Sequence, residues 1–298
     1  DPDGTYRAVA ARLRPIVDLA AATACGLIFD MEQADSKDLL LDIFRRLFTE
    51  ETYRSFAYAG VAMQAYHREA ERDIHDLIAW VERRGTPITI RLVKGAYWDS
   101  DTVRYHQAGW PVPLFEQKAE TDASYEALIP LLLQHRDLIR PAFGTHNLRT
   151  LAVIEAVAES LTVPPEALEY QMIFGMAEPF QQAMAAHGRR VRLYTPVGRL
   201  LPGMAYLVRR LLENTSNESF LRKEYVESQS LSALLAPPVL SSSSPMTSSP
   251  TSDDFVNEPH RDFSKAASRA AMQEAISKVR SQTGHSWESP HREIRLTG

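Results

Sequence analysis

The chain holds one cysteine, Cys25, among 298 residues. A single thiol excludes an internal disulfide framework and a cysteine-rich metal site, and it fits a reducing cytoplasm. No apolar run is long enough to span a bilayer, and no signal peptide opens the chain. Basic charge is not in excess. The net charge of −5 argues against general nucleic-acid binding. No Gly-rich strand-to-helix fingerprint of the dinucleotide or P-loop type occurs. His146 has no second histidine or carboxylate at metal-ligand spacing, which excludes a metal site built on it.

What is present is the composition of an ordinary globular protein, 44% hydrophobic and 24% charged. The length allows one barrel-sized domain or two smaller ones. Short buried runs alternate with amphipathic stretches. The runs are Gly26–Phe29, Phe56–Met63, Ile88–Arg91, Pro141–Gly144, Glu169–Phe174 and Val191–Tyr194. Helical spacing marks Thr5–Ala24, Ser36–Phe48, Arg68–Arg83, Asp122–Leu133, Leu148–Ser160, Glu178–His187 and Gly203–Asn214. Strands that read as continuous apolar runs, each followed by a helix, predict a parallel α/β sheet. The missing phosphate fingerprint favours a (βα)8 barrel of the TIM type over a doubly wound sheet. Only six strands are counted, so the first two of eight are expected to be lacking.

Polar residues sit at the C-terminal ends of these strands, the edge that carries active sites in such folds. Asp30 ends the first, Gln64 the second, Arg91 the third, and Thr145-His146-Asn147 follows the fourth. Arg91 and Lys94 would be costly in a core without an anion or carboxylate partner. Gly95 lets backbone approach a flat or phosphorylated ligand. Taken singly, Asp30 reads equally as a helix cap and His146 as a partly buried core histidine. In Tyr206-Leu207-Val208-Arg209-Arg210-Leu211-Leu212-Glu213, apolar residues fill most of the circumference. The arginine pair there reads either as a solvated face or as a fork gripping a small carboxylate bidentately.

Arg91-Leu-Val-Lys-Gly-Ala-Tyr-Trp98, Thr145-His-Asn147, Tyr194-Thr-Pro-Val-Gly198 and the Tyr206–Glu213 segment occur together and in one order. In this they resemble the proline dehydrogenase domain of proline utilisation A, a bifunctional bacterial flavoenzyme family. The resemblance runs from about Tyr6 to Phe220. It implies a barrel that binds FAD and oxidises L-proline to Δ1-pyrroline-5-carboxylate by hydride transfer to flavin N5, the first step of proline catabolism to glutamate. A membrane quinone is then the implied electron acceptor, and the location is cytoplasmic, peripheral at the inner face of the membrane. By motif, Arg209 and Arg210 grip the proline carboxylate, Tyr194 and Tyr206 wall the pocket, Tyr97 and Ile173 pack near the ring, and Asp30 lies beside the amine. Arg91 lies against the isoalloxazine. Gln64, Lys94, Gly95, Ala96, Trp98, Thr145, His146, Asn147, Gln171 and Glu213 match flavin-contacting positions. Direct hydride removal needs no Ser or Cys nucleophile.

The division implied is a partial barrel over 1–227, a Ser/Pro-rich linker over 228–254, and the start of an aldehyde dehydrogenase domain over 255–298, whose catalytic body is absent. A linker of that composition builds no core. The opening Asp1-Pro2-Asp3-Gly4 reads as a cut inside a longer protein. Two other readings stay open. One is an impaired barrel piece that binds FAD weakly, associates with itself through open strand edges, or acts only as an interaction module. The other is a metal-free lyase or isomerase for a phosphorylated substrate, suggested by Gly95 and Gly198 after strands.

Overall fold

The computed structural model describes residues 1–215, 232, 235–239, 259–282, 286–288 and 293–295, without side chains for 202, 210–215, 286–288 and 293–295. Six strands form one parallel sheet in sequential order: β1 Leu27–Phe29, β2 Ala59–Gln64, β3 Ile88–Val93, β4 Ile139–Gly144, β5 Glu169–Ile173 and β6 Val191–Tyr194. The sheet curls into a half-barrel with helices on its convex side. The helices are α1 Pro2–Ala22, α2 Lys37–Leu47, α3 Ala70–Arg84, α4 Trp98–Ala108, α5 Lys118–Gln134, α6 Leu148–Ser160, α7 Glu178–Ala186 and α8 Leu200–Thr215. The six-strand count and the alternation expected from sequence both hold.

The core lies between sheet and helices. Every residue of β2 is buried. In β3, Ile88, Ile90 and Leu92 are fully buried against the helices, whereas Thr89, Arg91 and Val93 alternate onto the concave face and are half-buried. That alternation places Arg91 in the mouth of the half-barrel. Helix α3 forms because Ile74, Leu77, Ile78 and Val81 recur on one face, and all four are buried. It stops at Gly85, whose φ of 75° lets its N–H reach the Val81 carbonyl at 2.8 Å. Phe29, Phe44, Phe48, Phe56 and Trp80 pack as edge-to-face, tilted and stacked pairs with centroids 5.0–6.0 Å apart.

Two cations sit inside this region, each fully engaged. The buried Arg84 guanidinium donates to the carbonyls of Phe48, Tyr53, Phe56 and Thr86 at 2.7–3.3 Å, which pins the connection into β2. Burial lowers its pKa to about 10, so it stays protonated. Lys37, 1% exposed, places Nζ 2.5 Å from Asp73, 2.7 Å from Asp38 and 3.1 Å from Glu69. Lys265, on the segment 259–265, reaches the same Asp38 at 3.3 Å, and Trp110 donates its indole N–H to the His260 carbonyl. So the segment after the linker lies against the barrel.

Some boundaries differ from expectation. Phe56–Tyr58 lie outside the strand, Ala57 and Tyr58 in a turn, and β2 begins at Ala59. Helix α4 was not foreseen, because its polar sequence buries only Asp101 and Tyr105. Helix α5 starts four residues early, at Lys118, where Gln117 and Glu120 form a capping box. Further along, α9 spans Ala266–Ser281, and β7 Ser286–Glu288 pairs antiparallel with β8 Glu293–Arg295.

Candidate active site

The expected residues converge on the C-terminal ends of β1 to β6 and on α8. The loop after β1 carries Asp30, whose carboxylate pairs with the Arg91 guanidinium of β3. Arg91 is 15% exposed in its side chain, and burial lowers its pKa, opposed by Tyr194 of β6. Its Nε is buried and makes no hydrogen bond among the described residues. The rings of Tyr194 and Tyr206 lie 5.7 Å apart, tilted by 32°. The Arg209 guanidinium sits 5.1 Å from the centroid of the Tyr97 ring, a cation–π distance. Arg209 Nε also makes no hydrogen bond among the described residues. Thus β1, β3, β6 and α8 bring Asp30, Arg91, Tyr97, Tyr194, Tyr206 and Arg209 to one mouth. Arg210 and Glu213 lie on α8, and their side chains are outside the described residues.

The loop after β3 is shaped for close approach. Gly95 has φ 131°, and a Cβ there would meet the Tyr66 ring at 2.5 Å. Its neighbour Ala96 is exposed and Trp98 is 39% exposed, with the indole N–H donating to the Phe115 carbonyl at 2.8 Å. Lys94 pairs with Asp122, which also takes Lys118 at 2.5 Å. Burial lowers the Lys94 pKa against the pull of Asp122.

Several other expected residues bond within the protein. The buried Gln64 amide donates to the Met31 and Glu32 carbonyls at 3.2 and 3.1 Å. Thr145 Oγ1 accepts the Asn147 N–H at 3.1 Å, and Asn147 caps α6 through the Thr150 N–H at 3.0 Å. His146 Nε2 accepts the Ile173 N–H at 2.9 Å, which puts the ring proton of a neutral imidazole on Nδ1. Gln171 donates to Glu169 at 2.7 Å. These bonds fix the strand ends and leave each group's remaining donors and acceptors to other partners.

Three participants escaped sequence reasoning: Tyr66 beneath Gly95, the buried Asp101 in α4, and Asp122 opposite Lys94. The only signal was their position: Tyr66 two residues beyond the end of β2, and Asp101 and Asp122 near the start of a helix. No group of three or more metal-ligating side chains occurs among the described residues.

A parallel half-barrel that gathers cations, tyrosines and a carboxylate at its strand ends defines a barrel protein with a small-ligand site at that edge. A family profile described as proline dehydrogenase matches residues 2–223. The chain belongs to the proline dehydrogenase family. It is 37% identical over 235 residues to the bifunctional protein PutA of Salmonella typhimurium, covering 76% of this chain and 18% of that protein. To proline dehydrogenase 1 of Bacillus subtilis it is 29% identical over 211 residues, covering 71% of this chain and 62% of that one. A crystal structure of proline utilization A from Bdellovibrio bacteriovorus, inactivated by N-propargylglycine, superposes with a TM-score of 0.88 at 43% identity. That match covers 95% of this chain and 30% of the other. The chain thus spans about a fifth to a third of the length of the PutA proteins it matches. Proline dehydrogenases are in general flavin-dependent and take proline as substrate.

Proposed function

We propose that this chain carries the site that oxidises L-proline to Δ1-pyrroline-5-carboxylate with bound FAD, the first step of proline breakdown. The observation that carries the reading is the convergence of Arg209, Tyr97, Tyr194 and Tyr206 opposite the Asp30–Arg91 pair. Two buried guanidinium nitrogens without hydrogen bonds face a mouth walled by aromatic rings. Such a mouth suits a flat anionic group and a small carboxylate together.

FAD, when bound, supplies the acceptor for the hydride leaving proline C5. The protein's own groups do the rest. Arg209 and Arg210 hold the substrate carboxylate, with Tyr194, Tyr206 and Ile173 closing around the apolar ring. Asp30 takes the hydrogen bonds of the amine, whose proton must leave as the C5–N double bond forms. Arg91 is a fixed cation that favours an electron-rich flavin electrostatically. Lys94, Gly95, Ala96, Trp98, Gln64, Thr145, His146, Asn147, Gln171 and Glu213 form the remainder of the flavin cradle, with Gln64, Thr145, Asn147 and Gln171 also bracing its strand ends. Electrons pass on to a membrane quinone from a peripheral position. Among the described residues no helix is long and apolar enough to cross a membrane. The barrel occupies 1–227, the linker 228–254, and 255–298 begins an aldehyde dehydrogenase domain.

The test is anaerobic. The purified chain is loaded with FAD and titrated with L-proline while flavin absorbance and imine product are followed. Stoichiometric bleaching with product is expected. Bound flavin that neither bleaches nor yields imine would overturn the reading.

A further inference from the structure

Asp101 has no place in the flavin or substrate set, yet it is among the most buried polar residues, 1% exposed. It lies in the first turn of α4, immediately after the loop that carries Gly95 and Tyr97. Its Oδ2 accepts the N–H of Ala34 at 3.1 Å, across 67 residues of sequence. Ala34 begins the 3-10 turn Ala34–Ser36 that ends the loop bearing Asp30. One turn along α4, Arg104 pairs with Asp35 of the same turn at 2.6 Å. The Tyr66 hydroxyl lies 3.5 Å from the same Asp101 oxygen. The Tyr66 ring fills the space under Gly95, and its N–H donates to the Lys94 carbonyl at 2.9 Å. A continuous path of contacts therefore runs from Gly95 through Tyr66 and Asp101 to Ala34.

We propose that Asp101 is a positioning residue: it ties the loop after β1 to the loop after β3, and so sets Asp30 and Arg91 against each other and against Tyr97. The inference rests on the function proposed above. At its other end the loop is anchored by Gln64, which holds the carbonyls of Met31 and Glu32 on the Asp30 side, while Arg104 adds only the half-exposed pair with Asp35 to the Asp101 tie. Gln64 fixes where the loop leaves β1. Asp101 fixes where it turns into the next helix. Losing the second leaves a buried N–H without an acceptor and frees the loop at one end. A small misplacement of Asp30 then costs rate more than substrate affinity, because the carboxylate grip is carried by α8, to which neither end of this tie belongs.

The test uses the FAD-loaded chain and two kinds of variant. Asp101→Ala removes the acceptor. Ala34→Pro removes only the donor, at the first position of a helical turn and after a residue, Gln33, already in the extended conformation that proline requires. Both should lower the limiting rate of flavin reduction at least tenfold, with the KM for proline moving less than threefold. Asp101→Asn still presents an oxygen to Ala34 and should recover to within threefold of wild type. Amide hydrogen exchange gives the independent readout. Residues 31–36 should exchange at least tenfold faster in Asp101→Ala while β2 to β4 keep wild-type rates. Unchanged exchange at 31–36, or faster exchange with an unaltered limiting rate, overturns the proposal. If Asp101→Ala does not fold, Ala34→Pro decides by the same two measurements. A wild type that binds FAD but is not reduced by proline sinks the proposed function, and with it the positioning role, while the exchange data still separate a real tie from none.

Discussion

The two ends of the sheet are built differently. From β2 to β4 each strand has a neighbour on both sides, and α2, α3 and α5 cover it with fully buried Phe44, Leu77 and Leu132. Lys37 and Arg84, the cations buried among those helices and connections, are engaged on every side. From β6 onward the chain has one strand neighbour, and Leu193, Tyr194, Val197, Leu201 and Met204 are exposed. There, the Tyr194 and Tyr206 rings meet at a tilt, and Arg209 rests on Tyr97. One region spends its polar groups on holding the fold. The other leaves the Arg209 Nε without a hydrogen bond among the described residues and brings aromatic rings together beside it.

Five substitutions probe that contrast, in decreasing size of effect apart from Leu201→Ala, the control for Leu77→Ala. Lys37→Met removes the buried cation shared by Asp38, Glu69 and Asp73 and should cost about 3–5 kcal/mol, since the buried Asp73 carboxylate is left with only the exposed Arg72 at 3.2 Å. Denaturant melting measures it, and a loss below about 1 kcal/mol would show that the network adds little. Leu77→Ala, at a fully buried position, should cost about 2–5 kcal/mol. By contrast Leu201→Ala, 84% exposed, should stay within about 0.5 kcal/mol. Equal losses at the two sites would erase the distinction between the regions.

Arg209→Ala should raise the KM for proline by roughly 10- to 150-fold, the equivalent of a charge-assisted hydrogen bond worth about 1.5–3 kcal/mol. Its melting curve should barely move. A shift in stability with an unchanged KM would assign Arg209 to the scaffold instead.

The smallest effect is one of pH. Burial, then the nearby Lys37 and Lys265, push the His67 imidazole down to about 3. Unfolded, the same ring titrates near 6.5, so below that pH the unfolded chain binds a proton that the folded chain refuses. Stability is therefore full above about pH 6.5 and falls on acidification, approaching about 1.4 kcal/mol per pH unit. His67→Gln should flatten the slope between pH 6.5 and 5. Below that window Asp38 and Glu69, which Lys37 holds under the usual carboxylate range against the opposing cost of burial, add losses of the same sign. An unaltered slope in His67→Gln would mean that the ring is not kept neutral.

Much of the frame was legible from local pattern. Ile88, Ile90 and Leu92 read as a buried strand because β-branched and leucine side chains cluster there, and the strand is where they put it. The Tyr206–Glu213 stretch reads as a helix from its spacing. Helix α4 was illegible because most of its side chains face water and only Asp101 and Tyr105 are buried. Gln64 was legible as a strand-end polar group, but not its hold on the Met31 and Glu32 carbonyls. No periodicity announces a side chain that bonds backbone thirty residues away.

By itself the sequence determined the order of elements, the parallel sheet and the edge at which function gathers, because each follows from the spacing of apolar side chains over a few turns. Tertiary structure alone decided the partners: Arg91 with Asp30, Lys94 with Asp122, Lys37 with Asp73, Asp101 with Ala34. Those contacts join residues 28 to 67 positions apart. Which carboxylate meets which cation depends on how far the sheet curls and how the helices pack across it, and that distance is written in no local stretch of chain.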